Sequence, residues 1–319
     1  MSDTVAAVVV TYNRKNLLIE CLEALRNQTH KPDAIFIIDN ISTDGTPEIL
    51  FENKYILKLP QSDSNENQLI KNKISSLSDP NENIEINYVR KFENDGGSGG
   101  FHEGMKQAYK AGYNWLWLMD DDGIPAFDCL AKLMHYGEFG KIDYVAPNLI
   151  DEKGKSHFSE MFEASKTPII PYYGGPFNGI LLSMNLIKHI GLPITKFFIW
   201  GDEIEYRNRI MENGFLTVTV KNAKHHHKRT SYSLKAVPRV YFLSRNLIFC
   251  AKLFKGIYRS KLAYTLGIIL SLLKIVSFAI IFLNFRQLKN CLKGINDGVK
   301  IDIKKDQLLA MNYFSKDCT

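Results

Sequence analysis

Three carboxylates in a row, Asp120, Asp121 and Asp122, follow directly on the apolar run from Trp115 to Met119 and precede Gly123 and Pro125. Adjacent acids repel one another, so such a triplet needs water or a cation to neutralise it. Hard divalent cations, Mg²⁺ or Mn²⁺, take carboxylate oxygens and are usually held by one or two of them together with substrate phosphates. The plain reading is a solvated acidic turn. The apolar strand that feeds the triplet favours chemistry, because ligands of open α/β sheets bind outside the carboxyl ends of strands.

A second acidic group, Asp202, Glu203 and Glu205, follows Phe197-Phe198-Ile199-Trp200. Acids at a helix start suit its dipole, which accounts for their presence. The aromatic approach would also shield a carboxylate from water and tune it as a general base. His225, His226 and His227 form a third group. On an extended backbone His225 and His227 share one face, as a metal site would use them. A basic loop is the equal alternative, since Lys224, Lys228 and Arg229 surround them. The fourth group is the glycine run from Asn94 to Gly104, which would let backbone approach a ligand and present helix N–H groups to phosphate.

The elements that must position these groups alternate. The β-branched run from Thr4 to Thr11 reads as a strand, Lys15 to Gln28 as a helix, and Ala34 to Ile38 as a second buried strand ending in Asp39 and Asn40. Ser42 to Gly45 reads as a turn and cap, with Pro47 in the first turn of the next helix. This is the pattern of a doubly wound α/β sheet. Residues 61–87 read as a polar surface insertion with a short helix near 69–74, and 84–88 as the next strand. A helix is expected from Phe101 to Ala111 and another from Phe127 to Tyr136, then strands at 144–150 and 180–183, a hairpin-like turn at 151–155 and a short helix through Ile190. A helix over 204–213 and a strand over 215–220 complete this part.

The 319 residues carry a formal charge of +6, unevenly spread. From Lys221 onward there are 19 Lys/Arg against 4 Asp/Glu, which leaves the first 220 residues net acidic. A basic tail of this kind meets an anionic surface, nucleic acid or membrane. Two apolar, basic helices are expected in it, 241–255 and 262–285. The second is long enough to span a bilayer, but Lys274 near its middle disfavours that by roughly 3 kcal/mol, so helices packed on the core and lying in the membrane interface are preferred. Five scattered cysteines without CxxC spacing point to reduced thiols rather than a disulfide framework. Asp3 stands where a signal peptide would need a basic region, so none is expected.

Taken in order, VVVTYNR (8–14), IIDNISTDGT (37–46), NDGGSGGFHEGM (94–105), WLWLMDDDGIP (115–125), FNGILLS (177–183), FFIWGDEIEYRNRIMENGF (197–215) and the histidine cluster resemble the family 2 glycosyltransferases of GT-A fold. GGSGGF and WGDEIEY are most similar to the galactofuranosyl- and rhamnosyl-transferase branch, as are YFLSRN (241–246) and KGINDG (293–298). Gly201 departs from it, standing where galactofuranosyltransferases often have a second Asp. The resemblance implies a Rossmann-like mixed sheet flanked by helices over residues 1–235, with a helical, membrane-associated region over 236–319. It implies inverting transfer from a nucleotide sugar, UDP-galactofuranose first and dTDP-rhamnose second, to a lipid-linked or polysaccharide acceptor at the cytoplasmic membrane face, with no nucleic-acid partner. Thr11, Tyr12, Arg14 and Asp39 would hold the nucleoside, and the loop from Asn94 through Gly97 to Gly100 would approach diphosphate and ribose. Asp120 and Asp122 would hold Mg²⁺ or Mn²⁺, completed by His227 or else His225, and Asp121 would contact ribose or sugar. Asp202 would be the general base, with Trp200 and Glu203 candidates for the acceptor site. A nucleotidyltransferase is disfavoured because no basic residue lies in the glycine run to clamp a triphosphate. A non-catalytic nucleotide-binding scaffold would not need both acidic stations.

Overall fold

The computed structural model describes residues 3–171, 176–227, 237–253, 269–270, 273, 277, 285–301 and 313. Strands β1 (Val5–Thr11), β2 (Ala34–Asp39), β4 (Asn83–Arg90) and β5 (Trp115–Asp120) are mutually parallel and centre a ten-stranded mixed sheet. Its order is β3-β4-β2-β1-β5-β9-β7-β10-β6, with β3 (Gln68–Ser75), β6 (Ile124–Pro125), β7 (Tyr144–Ile150), β9 (Ile180–Ser183) and β10 (Thr217–His226); β8 (Ile169–Pro171) pairs with β10. Strand β9 runs antiparallel between β5 and β7.

Helices cover both faces because the central strands are apolar on both. Val5, Ala7 and Val9 pack with Leu18, Cys21, Leu22 and Leu25 of α1 (Lys15–Arg26) and with α4 (Cys129–Met134). Ala6, Val8 and Val10 pack with Phe101, Met105 and Ala108 of α3 (Gly96–Lys110), beside α6 (Met184–Ile190) and α7 (Asp202–Glu212). Short α2 (Thr46–Glu52) and α5 (Ser159–Ser165) lie between strands.

The expected helix at 69–74 is strand β3 instead, paired antiparallel with β4 from Gln68↔Arg90 to Ser75↔Asn83. Ile70 is buried while both its neighbours are exposed, a period of two that belongs to an edge strand. The glycine run is likewise not a loop before a helix. Helix α3 begins at Gly96 and holds four glycines in its first five residues. Gly100, and Gly104 one turn on, serve close packing: a Cβ on Gly100 would stand 2.4 Å from Val10 Cγ1, and one on Gly104 2.3 Å from Val8 Cγ1. Helix α4 is shorter than expected and passes into a π-helical turn, His135–Phe139. Strand β10 runs on past Val220 through a register shift to His226.

In the tail, α8 (Val237–Leu253) lies against α9 (Phe285–Lys300), with Ser244 Oγ 3.2 Å from the Cys291 carbonyl and the Tyr241 hydroxyl donating to Asp297 at 2.9 Å. The expected helix at 262–285 falls almost wholly outside the described residues. Among those residues no helix is long and apolar enough to cross a membrane.

Candidate active site

Parallel register brings the polar strand ends to one edge. Thr11 pairs with Asp39, Val10 with Asp120, and Asp39 with Arg90. The following turns are stitched across this edge: Asn40 N–H donates to the Thr11 carbonyl at 3.0 Å, and Thr43 N–H to Asn13 Oδ1 at 2.6 Å.

Asp121 is buried and held by two of the four residues expected at the nucleoside. Thr11 Oγ1 donates to its Oδ2 at 2.7 Å, and Arg14 Nη1 to its Oδ1 at 3.1 Å. The same nitrogen lies 2.9 Å from Asp122 Oδ2, so Arg14 spans two carboxylates of the triplet. Burial pushes the Asp121 carboxyl up to about 6, with Arg14 pulling the other way. Burial, then Asp122 and Asp121, push Asp120 well above the ordinary range. Asp122 is pushed up by burial but pulled below that range by His227 and Arg14.

Antiparallel pairing of His225 with Pro125 and His226 with Ile124 carries β10 back along the acidic turn. Alternation then separates the histidines. His226 is exposed, and His225 is fully buried with Nε2 2.6 Å from Asn178 Oδ1. Burial and the other two histidines push His225 down to about 3, so its imidazole is neutral. Gly123 makes room for it, since a Cβ there would lie 2.4 Å from His225 Nε2. His227 Nε2 faces Asp122 Oδ1 at 3.5 Å.

Asp39 is fully buried and engaged on both oxygens. Oδ2 accepts from the Tyr88 hydroxyl and Arg90 Nη1, both at 2.7 Å, and Oδ1 from Ser42 N–H at 2.8 Å. Arg90 and Tyr88 escaped the reading of the sequence, although a basic residue ending β4 at this edge was a visible signal. Tyr12 is 46 % exposed, its ring open to the edge. Asn94 Oδ1 accepts from Gly96 N–H at 2.9 Å and starts α3. Gly97 differs from Gly100: a Cβ there would meet nothing within 4 Å, whereas Gly100 is pressed on Val10.

Asp202 enters α7 buried, after a turn in which Phe198, Trp200 and Gly201 have φ of 64°, 60° and 97°. Its carboxyl lies beside Ser98 and Glu203 and is raised above the ordinary range by burial. Glu203 is raised well above it, by burial and then by Asp202. Helix α3 links the two acidic stations: Gly100 lies against Val10, the register partner of Asp120, and Ser98 N–H donates to the Phe198 carbonyl in the turn before Asp202. Glu205 is committed elsewhere, paired at 2.7 Å with Arg209, which also donates to the Ile190 and Leu192 carbonyls.

The triplet suits a divalent cation. Arg14 pairs with two of the three acids, and Asp122 Oδ1 is buried without a hydrogen bond among the described residues. Oxygen donors with one imidazole suit Mg²⁺ or Mn²⁺. No three such side chains among the described residues form a ready-made cage. A Mg²⁺-type site does not need one, because substrate phosphates supply the remaining ligands.

The sheet, with carboxylates ending one central strand and a buried acid opening α7, has the GT-A-like fold of solved glycosyltransferases. TarS of S. aureus, solved in complex with UDP-GlcNAc, superposes with a TM-score of 0.63 at 12% identity, over 98% of this chain and 88% of that one. A mannosyltransferase of Pyrobaculum calidifontis, solved with GDP-Man and Mn²⁺, gives 0.54 at 15% identity, over 100% and 89%. Residues 6–60 and 62–191 match glycosyl transferase family 2, more than half of the sequence, and the chain belongs to that family. Galactofuranosyltransferase GlfT1 of Mycobacterium tuberculosis is 30% identical over 253 residues, 74% of each chain. The Mycolicibacterium smegmatis protein of the same name is 26% identical over 244 residues, 71% of each.

Proposed function

We propose that this family 2 glycosyltransferase moves galactofuranose from UDP-galactofuranose, with inversion, onto a lipid-linked glycan at the cytoplasmic face of the membrane; dTDP-rhamnose is the alternative donor. The observation that carries the reading is the acidic triplet ending β5 beside β1, with the turn before the buried Asp202 tied to the start of α3 that packs on the same strand. The choice of donor follows the GlfT1 relatives.

Tyr12 offers its exposed ring to the base, and Asp39 acts through Arg90 rather than by direct contact. Thr11 and Arg14 hold Asp121 against the ribose or sugar, and Gly97 leaves the α3 N-terminus open to the diphosphate. Asp120, Asp122 and His227 would hold Mg²⁺ or Mn²⁺, which when bound neutralises the departing diphosphate. The Asp202 carboxylate takes the proton of the acceptor hydroxyl. That oxygen bonds to the anomeric carbon from the face opposite the leaving group, and the bond to the nucleoside diphosphate breaks with its electron pair. Trp200 and Glu203, flanking the base, border the acceptor side.

Helix α9 supports peripheral attachment. Gln287, Cys291, Gly294 and Gly298 are buried, on the side that meets α8. Its outer face exposes Phe285, Leu292 and Val299, seven residues apart, among Arg286, Lys289, Lys293 and Lys300. Apolar side chains between cations suit an anionic interface. This face supports attachment as a role of the 236–319 region, with the nucleotide-sugar site built on 1–235.

The test is to incubate purified protein with UDP-galactofuranose or dTDP-rhamnose, Mg²⁺ or Mn²⁺ and membrane lipid, and to follow free nucleoside diphosphate and glycan extension. Product from the first donor is expected. Product from neither, with intact UDP binding, would end the proposal.

A further inference from the structure

The turn that delivers Asp202 could not hold its shape alone. Phe198 and Trp200 lie in the left-handed region, where side-chain-bearing residues are disfavoured, and such strain persists only where surroundings over-determine it. The carbonyls this turn leaves without helix or strand partners are collected by two adjacent residues of α8. Arg245 Nη2 donates to the Lys196 and Phe197 carbonyls, both at 2.7 Å. Asn246 Nδ2 lies 3.0, 2.8 and 2.5 Å from the carbonyl oxygens of Phe197, Ile199 and Trp200.

The clamp is itself fixed. Asn246 is 2 % exposed, and the Arg245 guanidinium lies 4.9 Å from the Phe242 ring centre and 5.5 Å from that of Phe249. Phe198 stacks on Phe242 with centroids 4.6 Å apart and planes 7° from parallel. On its other side the turn is tied to α3, where Ser98 N–H donates to the Phe198 carbonyl. None of the steps of transfer uses Arg245 or Asn246.

We propose that Arg245 and Asn246 are positioning residues for sugar transfer: they hold the strained turn 196–201 so that the Asp202 carboxyl keeps its place beside the start of α3. This rests on the reading of Asp202 as general base. It makes α8 a working part of the catalytic centre, although it comes from the basic tail. A clamp that served folding alone would weaken donor binding and turnover together. A positioning clamp lowers kcat, because misplacement of about 1 Å costs on the order of 100-fold in rate while the nucleotide is held elsewhere.

The experiment compares Asn246→Leu, Arg245→Lys and Asp202→Asn in the full chain. UDP binding is followed by calorimetry, turnover with UDP-galactofuranose across pH, and backbone amide exchange over 196–204. In Asn246→Leu, kcat should fall about 10- to 100-fold with KM and UDP affinity within about threefold. The acid limb of its kcat profile should move to lower pH, as water reaches a carboxyl that burial had raised. Amide exchange over 196–204 should rise at least about tenfold while β1 and β5 keep their protection. Arg245→Lys, which keeps a donor, should be milder. Unchanged kcat or unchanged exchange in Asn246→Leu would overturn the proposal, as would parallel loss of UDP binding and kcat. An active Asp202→Asn would remove the base reading whatever Asn246→Leu does. An inactive Asp202→Asn beside a fully active Asn246→Leu would remove the clamp alone.

Discussion

The carbonyl oxygen of Phe198 accepts the backbone N–H of Ser98 at 3.2 Å, which joins the glycine-rich start of α3 to the turn that carries Asp202. The start of α3 and the turn before Asp202 are therefore joined directly, backbone to backbone. Gly96 sits at the joint with φ of 76°, and a Cβ there would stand 2.0 Å from the Phe198 oxygen. Gly96→Ala should cost about 1–3 kcal/mol of stability and lower kcat at least about tenfold. Denaturant midpoints and steady-state kinetics check both.

Asp120→Ala and Asp122→Ala should each abolish metal-stimulated turnover and weaken UDP binding measured with Mn²⁺, while UDP binding in chelator changes little. Titration with and without chelator reads this directly. Full activity of either variant, or of the wild type in excess chelator, would remove the metal from the mechanism.

Asp202→Asn should lower kcat by about 10²–10⁴-fold with UDP affinity nearly unchanged. The Asp202 pKa is raised by burial, so the native state keeps a proton that the unfolded chain has already released. Its contribution to stability is present below the unfolded value, about 4, and is lost as pH rises through the folded value. Activity moves the opposite way and appears as the carboxyl ionises. Over the pH range above 4, wild-type kcat should rise while its melting temperature loses this contribution, and Asp202→Asn should lack both effects.

Two glycines of one helix should respond differently. Gly104→Ala forces a methyl to 2.3 Å from Val8 Cγ1 and should destabilise by about 1–3 kcal/mol. Gly97→Ala meets open space, so thermal stability should hold within about 1 kcal/mol while the donor KM rises. A large loss of stability in Gly97→Ala would show that its surroundings are not open to ligand.

Reversing Lys289, Lys293 and Lys300 of α9 to Glu should reduce binding to vesicles rich in anionic lipid, by about 1 kcal/mol for each cation lost. The loss should shrink at high salt, and UDP binding should not change. Flotation at two ionic strengths measures it.

What the sequence determined by itself is what local chemistry writes. Buried strands appear as apolar runs, and Thr11, Asp39 and Asp120 fall at their ends because polar residues resume where the sheet stops. The order of these blocks also sufficed to reach the family. The tertiary structure decided everything that depends on what lies across a gap. Pairing of β10 with β6 placed one histidine fully buried against Asn178, one exposed and one beside Asp122. Close approach of β1 turned a glycine run that read as a loop into the first turns of α3. Asp39, with the type and place of a ligand-binding acid, was claimed by Tyr88 and Arg90 from the next strand. Arg245 and Asn246 lie more than forty residues from Asp202, and their meeting with its turn is a product of packing that no local pattern encodes.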